Sequence, residues 1–170
     1  VRESTRAVLG LKGGHSGLNI HEHRGNAIKI LVRALQAAAA QMDVRLVAID
    51  GGSMRNAIPR ECEARVTVPK DQARKFKQVV DACFARIAAE ELAGIDDGFA
   101  WKVATVQAPR CFARESSAAT LNLLSAIPNG VCAMSLDIAG LVETSTNLGV
   151  VKTDGLRVEI VCCSRSSVMS

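Results

Sequence analysis

Apolar residues in this chain recur at two periods, and the order in which those periods alternate is the tightest constraint on its fold. From Arg24 to Met42, the residues Ile28, Leu31, Leu35, Ala38 and Met42 fall at steps of three and four, laying one apolar stripe along a helix. Before it the period is two: Thr5, Ala7, Leu9 and Leu11 alternate with Ser4, Arg6, Val8 and Gly10, and the strand so predicted ends before Gly13-Gly14. After it comes a β-branched run from Val44 to Ile49, closed by Gly51-Gly52. Cys62, Ala64, Val66 and Val68 then alternate with Glu61, Glu63, Arg65 and Thr67, a strand with one wet face that Pro69 stops. A second helix is predicted from Asp71 to Leu92, with Phe76, Val80, Cys83 and Ile87 on its stripe and Gly94 just past its end. Phe99, Trp101, Val103 and Thr105 return to period two.

Strand, helix, strand, strand, helix, strand is the split βαβ order of a ferredoxin-like sandwich, in which two helices bury their stripes on one face of an antiparallel sheet. That unit takes up residues 1–108. From 109 to 170 the pattern restarts in shorter form, with a helix over Glu115–Ala126, a turn at Pro128-Asn129-Gly130, and strands over Val131–Leu136, Leu148–Lys152 and Val158–Cys163. Asp154-Gly155 marks a hairpin between the last two. The expected fold is therefore α+β, a two-layer sandwich made of a ferredoxin-like βαββαβ half followed by a shorter, similar half without a final helix.

At 170 residues and 48% apolar composition, the chain suffices for one ordinary domain or two small ones. A chain of this length buries about 70% of its unfolded surface and needs neither disulfide nor metal to hold a core. No apolar run reaches the ~18 residues that span a bilayer, so no membrane is expected as a partner. The net charge is +4 with the basic residues dispersed, only 3% of residues are aromatic, and Tyr is absent. Nucleic acid, whose binders carry basic stripes interleaved with aromatics, is not expected either. Six cysteines without CxxC spacing read as reduced core residues of a cytoplasmic protein. The chain opens on Val1 with a strand already under way and no charged leader, so a piece of a longer protein is expected.

Chemistry concentrates in few places. Gly13-Gly14-His15-Ser16-Gly17 sets a histidine at a strand end between glycines, which suits presentation to a ligand and equally suits an ordinary loop. His21-Glu22-His23 has zinc-donor types, but on one short loop with no further donor cluster; it reads first as solvated loop. Gly51-Gly52-Ser53-Met54-Arg55-Asn56-Ala57-Ile58-Pro59 lacks the Gly-Lys-Ser/Thr ending of a phosphate loop and does not open onto a helix. Arg165 follows the last apolar strand, where a guanidinium could clamp a carboxylate in bidentate fashion or lie on the surface. The three histidines all fall within residues 15–23, and HxD, HExxH, GxSxG and GxGxxG are missing, so no metal site is expected in this chain.

Taken together, LKGGHSGLNIHEHRGNAIKIL over Leu11–Leu31, Asn56-Ala57-Ile58-Pro59 after a double Gly, the Pro128 turn and Val142–Gly149 resemble the lid, or dimerisation, domain of carnosinase-like zinc exopeptidases. Within that family the similarity is to bacterial aminoacyl-histidine (Xaa-His) dipeptidases. The resemblance implies a metallopeptidase whose catalytic domain, outside this chain, carries two zinc or other divalent ions and a Glu-activated water. It implies that His15 stabilises the oxyanion of the tetrahedral intermediate, and that Asn56 and an arginine hold the C-terminal carboxylate of a dipeptide. In many relatives that arginine ends the strand after the NAIP-like motif, where this chain has Pro69; the role therefore passes to Arg165. On this view the second half fills the place of a partner subunit's lid, Thr144 and Asn147 receive no role, and the chain is inactive without its own catalytic domain, with a homodimer possible. The alternatives are a ferredoxin-like module that binds a small molecule such as an amino acid, or a purely structural dimerisation domain.

Overall fold

The structure, a computed structural model, describes residues 2–106 and 110–168, with side chains over residues 7–102 and 110–168. The domain boundary expected at 108/109 lies outside the described residues. In chain order the elements are β1 (Arg2–Leu9), β2 (Gly14–His15), α1 (Ala27–Ala39), β3 (Arg45–Gly51), β4 (Ala57–Ile58), β5 (Cys62–Val68), α2 (Ala73–Ile87) and β6 (Ala100–Val106). They continue with α3 (Arg114–Ala126), β7 (Gly130–Met134), β8 (Val142–Asp154) and β9 (Arg157–Ser166). The strand order β6-β1-β5-β3, antiparallel throughout, is that of the expected ferredoxin-like half.

Element ends differ from the periodic reading for local reasons. The first strand stops at Leu9 because Gly10 turns to φ +76°; Leu11 leaves the strand yet stays buried. The first helix begins at Ala27, three residues later than the expected start at Arg24, because Asn26 is extended and its Oδ1 accepts hydrogen bonds from the Ile28 and Lys29 amides. The second helix is not continuous: a 3-10 turn over Lys70–Gln72 precedes α2, and a π turn over Ala88–Leu92 follows it.

All three helices lie in one layer, with α1 between α2 and α3. Eight of its 13 residues are buried, Ala27, Ile30, Val32 and Ala34 besides the predicted stripe, because it packs against the sheet and both neighbours. Phe84 on α2 meets Phe99 edge-on and Trp101 at a tilt, and the three rings cluster with centroids 5.5–6.0 Å apart.

The second half supplies one helix and three strands, and they extend the first half's sheet. Strand β8 meets β3 at Gly51↔Val151, pairs with β7 toward its start, and pairs with β9 along most of its length. The outer edge of β3 is thereby covered. Phe112 and Ser117 exchange hydrogen bonds with Leu46 at one end, while Thr153 bonds Ile49 and Asp50 at the other. Lys29 on α1 donates to the carbonyls of Leu124, Ser125 and Ile127, capping the C-terminus of α3. The strand expected over Leu148–Lys152 runs instead from Val142 to Asp154, and Arg165, expected after the last strand, lies inside β9.

The cysteine reading needs correction. Only Cys62 and Cys83 are buried; Cys111, Cys132 and Cys162 are exposed and Cys163 is half-buried, all six being free. Strand β9 has one side of its ladder open and contains no fully buried residue, so period two there places Cys162 toward solvent.

Candidate functional site

The loop between β1 and α1 carries His15, and it is held at several points. Asp96, buried in the α2–β6 connection, accepts hydrogen bonds from the Lys12 and Gly25 amides, pinning both ends of the loop. Between these anchors β2 pairs antiparallel with β4, setting His15 opposite Ala57, and the Ser16 amide donates to the Asn56 carbonyl at 2.9 Å. The two motifs that the sequence kept apart thus form one short ribbon.

His15 is exposed, yet its ring is oriented. Nδ1 accepts hydrogen bonds from the Gly17 amide at 3.1 Å and the Leu18 amide at 3.2 Å. An accepting Nδ1 carries no proton in the neutral imidazole, which leaves Nε2–H as the donor. The backbone of His15 is fixed as well: its amide donates to Asn19 Oδ1 and its carbonyl accepts from the Asn19 amide.

Arg165 reaches this loop from the other end of the chain. Its Nη1 donates to Ser16 Oγ at 2.7 Å, and Ser16 is almost wholly buried. A Cβ placed on Gly17 would come 3.2 Å from His15 Cε1 and 3.4 Å from Arg165 Nε, so the imidazole and the guanidinium flank the same glycine. Among the described residues no carboxylate pairs with Arg165, and the half-buried Asn56 carboxamide makes no hydrogen bond. The arrangement sets an imidazole N–H and a guanidinium without a carboxylate partner around Gly17, with the Asn56 segment joined to the same loop through Ser16, which suits an oxyanion beside a carboxylate.

The His21-Glu22-His23 loop does not fit a zinc ion. Glu22 Oε1 accepts from Asn19 Nδ2 and its Oε2 from Arg24 Nε and Nη2, and these bonds hold the carboxyl below the usual range. Both oxygens are occupied, and among the described residues no group of three or more His, Cys, Asp or Glu side chains is placed to hold a metal.

The sequence reading gave Ser16 and Asn19 no part in the site and left Asn147 without a role. Ser16 and Asn19 lie inside the GGHSGLN segment, where Ser16 receives Arg165 and Asn19 holds the His15 backbone, whereas Asn147 sits in the Val142–Gly149 stretch with partners remote in sequence. Asn147 is fully buried, and its Nδ2 donates to the carbonyls of Arg55 and Ala57.

A ferredoxin-like sheet extended by a second half fits one class, the dimerisation domain of a peptidase. The chain belongs to the peptidase dimerisation domain family, whose profile matches residues 6–95. Over 164 residues it is 42% identical to the cytosol non-specific dipeptidase of Escherichia coli (strain K12), covering 96% of this chain and 34% of that protein. The crystal structure of the aminoacylhistidine dipeptidase from Vibrio alginolyticus superposes with a TM-score of 0.94 at 37% identity, covering 98% of this chain and 34% of that one. The chain thus spans about a third of the length of these relatives.

Proposed function

We propose that this chain is the lid of a cytoplasmic di-zinc dipeptidase that hydrolyses Xaa-His dipeptides, with the two metal ions held by a catalytic domain outside it. The observation that carries this reading is the meeting of the His15 loop with the Asn56 segment and with Arg165, three stretches widely separated in sequence. His15 Nε2–H donates to the oxyanion that develops when water attacks the scissile carbonyl; because Nδ1 is already engaged, the donor is oriented before substrate arrives. The guanidinium of Arg165 and the carboxamide of Asn56 hold the C-terminal carboxylate, which restricts cleavage to short substrates with a free C-terminus. Likeness to two dipeptidases, of Escherichia coli and Vibrio alginolyticus, supports the dipeptidase assignment. The family description supports a second copy of the domain as a partner. A small-molecule sensor would not need the His15 loop, Asn56 and Arg165 to meet, and the purely structural reading gives no use to a guanidinium that lacks a carboxylate partner among the described residues.

The test is steady-state kinetics of the full-length protein on an Xaa-His dipeptide and on its C-terminal amide. Arg165→Ala lowers kcat/KM on the free dipeptide by about 10- to 100-fold, the scale of a charge-assisted hydrogen bond, and changes it little on the amide. Equal losses on both substrates would remove the carboxylate role.

A further inference from the structure

The structure assigns Asn147 as the positioning residue that sets Asn56 relative to Arg165, an inference that rests on the carboxylate-binding reading above. Strand β8 runs beside β9 with Ser145 opposite Arg165 and Asn147 opposite Cys163. Residues two apart on a strand share a face, so Asn147 points to the same side as the position facing Arg165. From there its Nδ2 donates to the Arg55 carbonyl at 3.0 Å and the Ala57 carbonyl at 2.8 Å. These are the carbonyls on either side of Asn56. Both hydrogens of one carboxamide are therefore spent on the peptide that carries Asn56.

Two further features make this a clamp. A Cβ on Gly149 would lie 2.7 Å from the Arg55 carbonyl oxygen, so β8 approaches the Asn56 segment as closely as backbone allows. Asn147 has no exposed surface, and its Oδ1 is buried without a hydrogen-bond partner. An unpaired buried acceptor is unfavourable, so an apolar side chain would serve packing alone better. What the carboxamide adds is its two donors. They fix Asn56, from the first half of the chain, to the strand pair bearing Arg165, from the second. The His15 backbone shares the ribbon with Ala57, but its ring is oriented separately, by the Gly17 and Leu18 amides.

The inference predicts a split between binding and turnover. In the full-length protein, Asn147→Ala and the similarly shaped Asn147→Asp raise KM for a free dipeptide about tenfold, as two weakened hydrogen bonds would. They leave kcat within about twofold and do not change KM for the dipeptide amide. In an Asn56→Ala background the same substitutions add no further rise, because the residue they act through is gone. A melt of each variant accompanies the kinetics, and a variant that only lowers Tm while KM holds overturns the inference. So does a KM rise of equal size on the amide, or one that persists in the Asn56→Ala background. If Asn56→Ala raises KM and Asn147→Ala does not, the positioning role alone falls. If Asn56→Ala leaves KM unchanged, the carboxylate reading falls and takes the positioning role with it.

Discussion

Asn26 joins the two halves, and replacing it by alanine gives a sharp test of how the site is held together. Its Oδ1 caps α1 by accepting from the Ile28 and Lys29 amides, while its Nδ2 donates to Asn129 Oδ1 at 2.8 Å and to the Leu148 carbonyl at 2.9 Å. Asn129 Oδ1 in turn accepts from the Leu148 amide, so the turn before β7, the middle of β8 and the start of α1 share one network. Losing a cap of this kind costs about 1 kcal/mol. Leaving the buried Leu148 carbonyl without its side-chain donor costs roughly 1–3 kcal/mol more, and Asn129 keeps its other partner. The Asn26→Ala variant should therefore lose about 2–4 kcal/mol, read by equilibrium urea unfolding as a lower midpoint at unchanged slope. Asn26→Asp retains the cap but sets a carboxylate oxygen against Asn129 Oδ1 and the Leu148 carbonyl, so it recovers little of the loss. A cost below about 0.5 kcal/mol for Asn26→Ala would show that the junction is not held by this side chain.

Further outcomes concern acid and thiol chemistry. Hydrogen bonds from Arg33 hold the Glu91 carboxyl below its ordinary value of 4.5, and hydrogen bonds from Arg45 hold Asp43 below 3.8. A carboxylate whose pKa is lower in the folded state stabilises the fold above its unfolded value, and that contribution disappears as pH falls through the folded value. Thermal melts should therefore show Tm falling as pH drops below about 4.5, modestly, because exposed pairs contribute no more than about 1 kcal/mol each, and less in high salt. A Tm that rises on acidification would contradict the ion-pair assignments. Burial pushes the Cys62 and Cys83 thiols up, whereas Cys111 and Cys132 are exposed. Iodoacetamide with peptide mapping should modify Cys111 and Cys132 in the native protein and Cys62 only on unfolding; equal native rates would contradict the packing.

The sequence was informative wherever a side-chain period answers to a single buried face. The alternation Cys62–Val68 and the stripe Ile28–Ala38 define β5 and α1 because each has a sheet or helix layer on one side and solvent or a neighbour on the other. It was least informative where burial is satisfied by remote partners. Ser145, Thr146 and Asn147 are buried in β8 but fall outside the strand read over Leu148–Lys152, because the partners of the Thr146 hydroxyl and of Asn147 Nδ2, Ser164 and two carbonyls of the Asn56 segment, are remote in sequence. The same reason hid the span of β8 and put Arg165 after a strand instead of inside one. His15 was legible as a candidate from its glycine-flanked setting, and Asn56 from the resemblance to the exopeptidase lids. That they form one ribbon depends on pairing between β2 and β4, each only two residues long.

The most direct test of the lid reading is the turnover of the full-length protein carrying His15→Ala, measured on an Xaa-His dipeptide with its metal content determined in parallel. Loss of one preorganised oxyanion donor should lower kcat by ~10²- to 10³-fold with the metal content unchanged. A variant that keeps full turnover would contradict the account.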